Sequence, residues 1–277
     1  MLAQSVGLGV ENHRLLPLRH GETEWSKSGQ HTGRTELELT DTGREKAEAA
    51  GRALRELKLE NLMVIRSPRR RTLATAEFAS LSVDEVSPLI AEWDYGCYEG
   101  LTTAQTRELQ PDCLVWTHGC PGGESVAQVT DRADRAVALA LHHMASRDVL
   151  FSSHGHFSRA VITRWLQLPL VERSRFAMLA ASIAVCGFEH GVRQLSALGL
   201  TCRPQGHEAQ RATVCAVRAD GTLIAGGVRT CYAEMTVAQA ELRSGRAPIV
   251  LGAFTFRRGW PCRVDGAAHR TAQRCAA

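Results

Sequence analysis

The fold class this sequence predicts is a three-layer α/β/α domain with a mainly parallel central sheet, followed by an irregular C-terminal extension. Three observations carry that expectation. Short apolar runs at 13–18, 62–65 and 148–152 each end in a polar or basic turn, and the last two turns lead into helical periodicity. A long amphipathic stretch at 124–146 supplies a layer to cover a sheet. The strand–helix alternation then stops near Arg203-Pro204-Gln205-Gly206, where the composition shifts.

Residues 1–12 read as a leader. They have no basic n-region, and Gly7, Gly9 and Glu11 break their apolar run, so neither a signal peptide nor an anchor is expected. Residues 13–18 (HRLLPL) form a strand running straight into His20. Pro17 cannot donate to a ladder, which predicts an edge position or a local bulge. Residues 40–57 predict a helix, with Thr40, Asp41 or Thr42 as cap and Ala47, Ala50, Leu54 and Leu57 at helical spacing. A strand at 62–65 ends at Ser67-Pro68, and 70–78 opens the next helix. On the long helix, Val126, Val129, Ala133, Val137, Leu141 and Met144 recur on one side. The strand at 148–152 is followed by Ser153-His154-Gly155 and a helix through Trp165. Runs at 183–188 and 194–200, joined across Glu189-His190-Gly191, predict a hairpin. The domain is therefore drawn at 13–204 and the extension at 205–277.

The 277 residues, 44% apolar and 22% charged, have the composition of an ordinary soluble globular protein. A net charge of +4 is too small and too dispersed to point to nucleic acid. That charge belongs mostly to the extension, which has ten Arg, no Lys and five acids. The nine cysteines are odd in number and show no zinc spacing; with no secretory segment they read as reduced thiols in the cytoplasm. No run of about 18 apolar residues occurs, so no membrane partner is expected.

Chemistry concentrates in five segments. Arg19-His20-Gly21-Glu22-Thr23 follows a strand at the end where α/β sheets place ligands. Ser67-Pro68-Arg69-Arg70-Arg71-Thr72 joins a strand to a basic helix start, a cradle for a phosphoryl group. Glu92-Trp93-Asp94-Tyr95-Gly96-Cys97-Tyr98-Glu99-Gly100 sets acids among aromatic groups, where a carboxyl can keep its proton as a general acid. Pro121-Gly122-Gly123-Glu124-Ser125 is a glycine-rich turn into the long helix, and Ser153-His154-Gly155-His156 supplies a second post-strand histidine.

In this order, over residues 13–200, the segments resemble the histidine-phosphatase superfamily, also called phosphoglycerate-mutase-like. The resemblance implies that His20 is the nucleophile that becomes phosphohistidine, and that Arg19, Arg71 and His154 hold the phosphoryl oxygens. It implies that Glu92 protonates the leaving alcohol, with Ser26, Thr32, Gly33 and Gly155 on the substrate. Glu22 and Thr23 have weaker claims to a direct role, and Glu99 reads as structural. Cationic side chains supply the charge a metal supplies elsewhere, so no metal or cofactor is implied. Glu92's need for a proton predicts an acidic optimum.

The same first contacts serve phosphatases and cofactor-dependent mutases. The mutases carry a longer insertion with an adjacent arginine pair; here Glu99-Gly100 is followed by a short interval whose nearest base is Arg107. That favours a phosphomonoesterase. Gln30-His31-Thr32-Gly33 resembles a mutase element and keeps a phosphoglycerate mutase as the alternative. Trp25-Ser26 replaces the usual Trp-Asn, and His156 stands where a smaller residue is common. A phosphate-binding module without catalysis is the contrasting class, disfavoured because His20 and Glu92 are both present. The expected partner is a small phosphorylated substrate, with a homodimer as the alternative to a monomer. In the extension, 212–256 faintly resembles the N-terminal part of isochorismate-synthase-like enzymes, with strand-like runs at 220–225 and 247–254 around a helical stretch at 236–243. It reads as an appended remnant, or else as a docking or oligomerisation segment.

Overall fold

The computed structural model describes residues 10–201, and the backbone of a strand pair further on. The chain divides into one unit within Met1–Pro204 and another within Gln205–Ala277. In the first unit six strands form one sheet: β1 (Leu15–Arg19), β2 (Met63–Arg66), β3 (Glu85–Val86), β4 (Val149–Ser153), β5 (Ile183–Glu189) and β6 (Val192–Leu200). Their order is β3-β2-β4-β1-β5-β6. β3, β2, β4 and β1 run parallel, and β5 and β6 close the other side as an antiparallel hairpin. The mainly parallel sheet is thus present. The hairpin turn is the two residues His190 and Gly191, both at positive φ, as a primed two-residue turn requires.

Strand periodicity sorts the core into two layers. Leu15, Ile65, Val149 and Phe151 face a core shared with α6 (Val126–His143) and α7 (Gly155–Trp165), through Val129, Ala133, Ala136, Phe157 and Val161. Leu16, Leu18, Val64 and Leu150 face the opposite core, which takes Ala50 and Leu54 from α2 (Asp41–Glu56). The other helices are α1 (Glu24–Ser28), α3 (Arg70–Phe78), α4 (Thr103–Leu109) and α5 (Val115–His118). Of the three candidate caps for α2, Thr40 is the one used: its hydroxyl accepts from the Gly43 N–H. The long helix is shorter than its apolar stripe suggests. Ser125 and Gln128 form a capping box, and the helix runs from Val126 to His143.

Pro17 is not on an edge. β1 lies between β4 and β5, and Pro17 pairs with Phe151. The Arg19 N–H donates to Ser182 and the His20 N–H to Ser153, so by alternation the missing Pro17 donor falls on the β5 side. On that side β1 keeps a constant register with β5, Leu15 opposite Cys186 and Leu18 opposite Ile183; the shifts at Ile183/Val185 and Val185/Cys186 lie in the pairing of β5 with β6. β1 is interior and keeps its register with both neighbours, so neither the edge position nor the bulge expected for Pro17 is found.

The turn after β1 is held by two close backbone approaches. A Cβ on Gly43 would lie 2.2 Å from the Glu22 carbonyl oxygen, and one on Gly21 would lie 2.5 Å from the Gly43 oxygen. Gly43→Ala must push the His20 turn off α2. The expected cost is about 1–3 kcal/mol of stability, read by urea unfolding, with a fall in activity on any phosphomonoester.

In the second unit, β7 (Val214–Val217) and β8 (Leu223–Gly226) pair antiparallel, Val214 opposite Gly226 and Val217 opposite Leu223. β8 overlaps the strand-like run at 220–225. The run at 247–254, the helical stretch at 236–243 and most of the leader lie outside the described residues. Cys97, Cys113, Cys120 and Cys186 are free thiols, and no helix among the described residues is long and apolar enough to cross a membrane.

Candidate active site

Because β1 and β4 are parallel neighbours, the residues that leave their C-terminal ends meet. The rings of His20 and His154 pack edge to face, with centroids 5.3 Å apart. His20 Nδ1 lies 2.7 Å from the Gly21 carbonyl oxygen. A carbonyl can only accept, so Nδ1 carries the hydrogen and Nε2 keeps its lone pair. Burial drives the His20 pKa well below its ordinary value, and the Arg71 and Arg19 charges push it further down. His20 is therefore a neutral imidazole of fixed tautomer.

Arg71, at the start of α3, is fully buried. Its Nε–H donates to His154 Nδ1 at 3.2 Å, and its Nη groups donate to the carbonyls of Thr32, Thr35 and Gly33 at 2.9 to 3.0 Å. His154 Nδ1 accepts, so Nε2 carries the hydrogen and donates to Ser67 Oγ at 2.7 Å. Arg19 donates to the Met178 carbonyl at 2.7 Å, and its stem lies over Gly155, where a Cβ would come within 3.2 Å of Nε.

Glu92 reaches the N-terminus of α7. Oε1 accepts from the N–H groups of Trp93 and Phe157, and Oε2 accepts from that of His156, all at 2.9 to 3.0 Å. The loop carrying Glu92 is docked by the glycine-rich turn. A Cβ on Gly123 would sit 2.2 Å from the Asp94 oxygen, and one on Gly96 would sit 2.2 Å from the Pro121 oxygen. Glu124 then accepts from the Asp94 N–H while paired with Arg132 at 2.7 Å. The turn thus positions the acid-bearing loop.

A cavity of about 160 Å³ opens over His20, smaller than the roughly 300–1,000 Å³ usual for drug-sized ligands and suited to a small phosphoryl compound. Arg19, His20, Ser26, Thr32, Glu92 and Gly155 line it; Arg71, His154 and Gly33 are not among its lining residues. His31, Tyr95, His156 and Arg159 also line it, and apart from the size of His156 the sequence alone gives none of them a site role. Among the described residues no three His, Cys, Asp or Glu side chains gather where they could hold a metal ion.

Four imidazoles are held neutral by burial. His20, His154 and His156 lie well below their ordinary pKa and His31 lies below it; Arg71 adds to the effect at the first two, Arg173 at the others. Unfolded, each takes a proton as pH falls through about 6.5; folded, it resists. Stability is therefore whole above about pH 6.5 and falls below it, by up to about 1.4 kcal/mol per pH unit for each such group. Urea midpoints measured between pH 7.5 and 5 should decline with falling pH; a flat or rising series contradicts four buried neutral histidines.

The sequence matches the histidine phosphatase superfamily (branch 1) over residues 15–201. The chain belongs to that superfamily. It is 73% identical over 198 residues to an acid phosphatase of Mycobacterium tuberculosis, covering 72% of this chain and 98% of the relative. A solved structure of an open-reading-frame product from that organism is 74% identical, with TM-score 0.68, covering 69% of this chain and 98% of the other. A sedoheptulose 1,7-bisphosphatase of Saccharomyces cerevisiae is 32% identical over 184 residues, 56% of this chain and 68% of that protein.

Several motif residues of this histidine phosphatase hold the scaffold. Glu22 pairs with Lys46 at 2.9 Å, and that contact holds its carboxyl below the usual range. Glu99 accepts from the N–H groups of Gly33 and Thr35, strapping the 32–35 loop. Gly33 is therefore engaged at both its N–H and its carbonyl. The Ser26 hydroxyl closes the capping box of α1 with Thr23, and the Thr32 hydroxyl donates to the Gln30 carbonyl. Arg159 and Arg173 carried no motif signal. Arg173, in the 3₁₀ helix Leu170–Arg175, is buried with its guanidinium against the Trp93 and Trp116 rings, at 4.9 and 4.7 Å.

Proposed function

We propose that this chain is a metal-independent phosphomonoester hydrolase, an acid phosphatase that works through a phosphohistidine on His20. The observation that carries the reading is the His20 ring itself: neutral, held through Nδ1, with Nε2 left as a lone pair in a cavity it shares with Arg19 and Glu92. The acid-phosphatase relative supports the same reaction class.

In the first step Nε2 attacks phosphorus in line and the P–O bond to the alcohol breaks. A protonated Glu92 gives its proton to the departing oxygen. Glu92 Oε2 accepts only one N–H, which leaves it a position from which to do so. In the second step the Glu92 carboxylate takes a proton from water, the oxygen attacks phosphorus and the P–N bond breaks. The balance is ester plus water giving alcohol plus phosphate, with His20 and Glu92 restored. Arg19 meets the equatorial oxygens from the cavity wall. Arg71, whose charge reaches His20, and His154, whose ring packs on it, complete the proposed phosphoryl site. Every group in this scheme falls within 13–204.

Partitioning by an added alcohol tests the reading. With EDTA present, methanol should divert a fraction of turnovers to methyl phosphate, and that fraction should be the same for p-nitrophenyl phosphate and for phenyl phosphate. A common fraction requires a common phosphoenzyme. A fraction that varies with the leaving group, or a loss of turnover in EDTA, contradicts the proposal.

A further inference from the structure

We infer that Arg132 is the positioning residue of the proposed acid. From α6 it fixes both the backbone that carries Glu92 and the helix start that receives the Glu92 carboxylate, and so aims the proton at the leaving oxygen. The inference rests on the reading of Glu92 as the acid that protonates the departing alcohol.

The Arg132 guanidinium has five N–H donors, and each finds an acceptor. Nη1 donates to the carbonyls of Leu89 and Ala91 at 3.0 and 2.7 Å, and Nη2 to that of Glu92 itself at 3.4 Å. The other two go to Glu124: Nε to Oε1 at 2.8 Å and Nη2 to Oε2 at 2.7 Å. Only a rigid planar fork can reach these acceptors at once; a lysine ammonium carries the charge without the geometry.

These contacts converge on the acid-bearing stretch. Between the carbonyls that Arg132 holds, that of Ile90 accepts from Ser153 Oγ at 2.7 Å. Glu124 takes over on the far side: its Oε2 accepts from the Asp94 N–H and its carbonyl from Trp93 Nε1, both at 3.0 Å. Each residue from Leu89 to Asp94 is thus pinned.

The same guanidinium meets the receiving helix. It lies 4.1 Å over the Phe157 ring, and the Phe157 N–H is one of the two donors to Glu92 Oε1. The loop and α7 are therefore set against each other by one side chain on a third element. Glu92 takes its three N–H bonds and lines the cavity within that register. A displacement of about 1 Å at a reacting group costs on the order of 100-fold in rate. Arg132 itself does not line the cavity, so its effect on the reaction must pass through Glu92.

The test reads proton delivery in the full-length chain with two leaving groups. kcat/KM reports the steps through departure of the alcohol; glycerol 3-phosphate needs the proton for that departure and p-nitrophenyl phosphate does not. Arg132→Lys keeps the charge and loses the fork. It should lower kcat/KM for glycerol 3-phosphate by about 10- to 100-fold and for p-nitrophenyl phosphate by less than about threefold. A residue that only supports the fold would lower both alike. In the Glu92→Gln background Arg132→Lys should add no further selective loss, because the group it positions has no proton to give. Glu124→Gln keeps the side-chain size and removes the charge that holds the fork. It should show the same selectivity, and it decides the matter if Arg132→Lys does not fold. Equal losses on the two substrates, or no loss on either, overturn the inference, as does a selective loss that persists in full in the Glu92→Gln background. Failure of the underlying reading looks different: Glu92→Gln would then itself lose equally on both substrates, whereas failure of the inference alone leaves Glu92→Gln selective.

Discussion

His20→Ala should reduce turnover of any phosphomonoester by about 10⁴-fold or more, the scale on which loss of a covalent nucleophile stops an enzyme. The loss belongs to the chemical step because the ring does little structural work. Its one side-chain hydrogen bond is local, to the next carbonyl, and its neighbours Arg19 and His154 have anchors of their own at Met178 and at Ser67 and Arg71. The variant should therefore fold and still bind inorganic phosphate. It should also lose one of the four groups that make stability fall below about pH 6.5, so its urea midpoint should depend less steeply on pH. Turnover within about tenfold of wild type would remove His20 from the mechanism.

Glu92→Gln should have the second-largest effect, and it should depend on the leaving group. General acid–base groups contribute about 10²- to 10⁴-fold. An alkyl alcohol needs the proton and should show the upper end of that range, while p-nitrophenolate leaves unaided and should show much less. The substitution also has a structural cost. Both carboxylate oxygens accept backbone N–H groups, so the glutamine NH₂ must confront a donor in either orientation. A stability loss of about 1–3 kcal/mol is expected, readable by urea unfolding apart from the rates. Equal rate losses for an alkyl phosphate and p-nitrophenyl phosphate would deny Glu92 the role of acid.

What could be read from the residues alone was what is local. The strands that end at Arg19, Arg66 and Ser153 announce themselves by apolar runs, and the helices by caps and stripes, so the layered fold and the meeting of His20 with His154 follow from topology. Pro17 was legible as a problem, but its interior place was not, because β1 is flanked by β4 and β5, whose residues lie more than a hundred positions along the chain. Arg71 and His154 were legible as members of motifs. Their bond to each other, and Arg71's hold on the 32–35 loop, depend on contacts across 36 to 83 residues. Arg159 and Arg173 were invisible for a related reason. One is an ordinary helix arginine in sequence, and the other becomes unusual only when Trp93 and Trp116 close around it.

The most direct measurement is rapid acid-free quenching of the enzyme in steady-state turnover of a radiolabelled phosphomonoester, with EDTA present, followed by peptide mapping of bound phosphate. Phosphohistidine is labile to acid and stable to base, so the chemistry of the adduct identifies the residue type. Base-stable, acid-labile phosphate is expected on the peptide containing His20, formed and discharged at rates that support turnover. No covalent phosphate during turnover, or phosphate on a peptide that lacks His20, contradicts it.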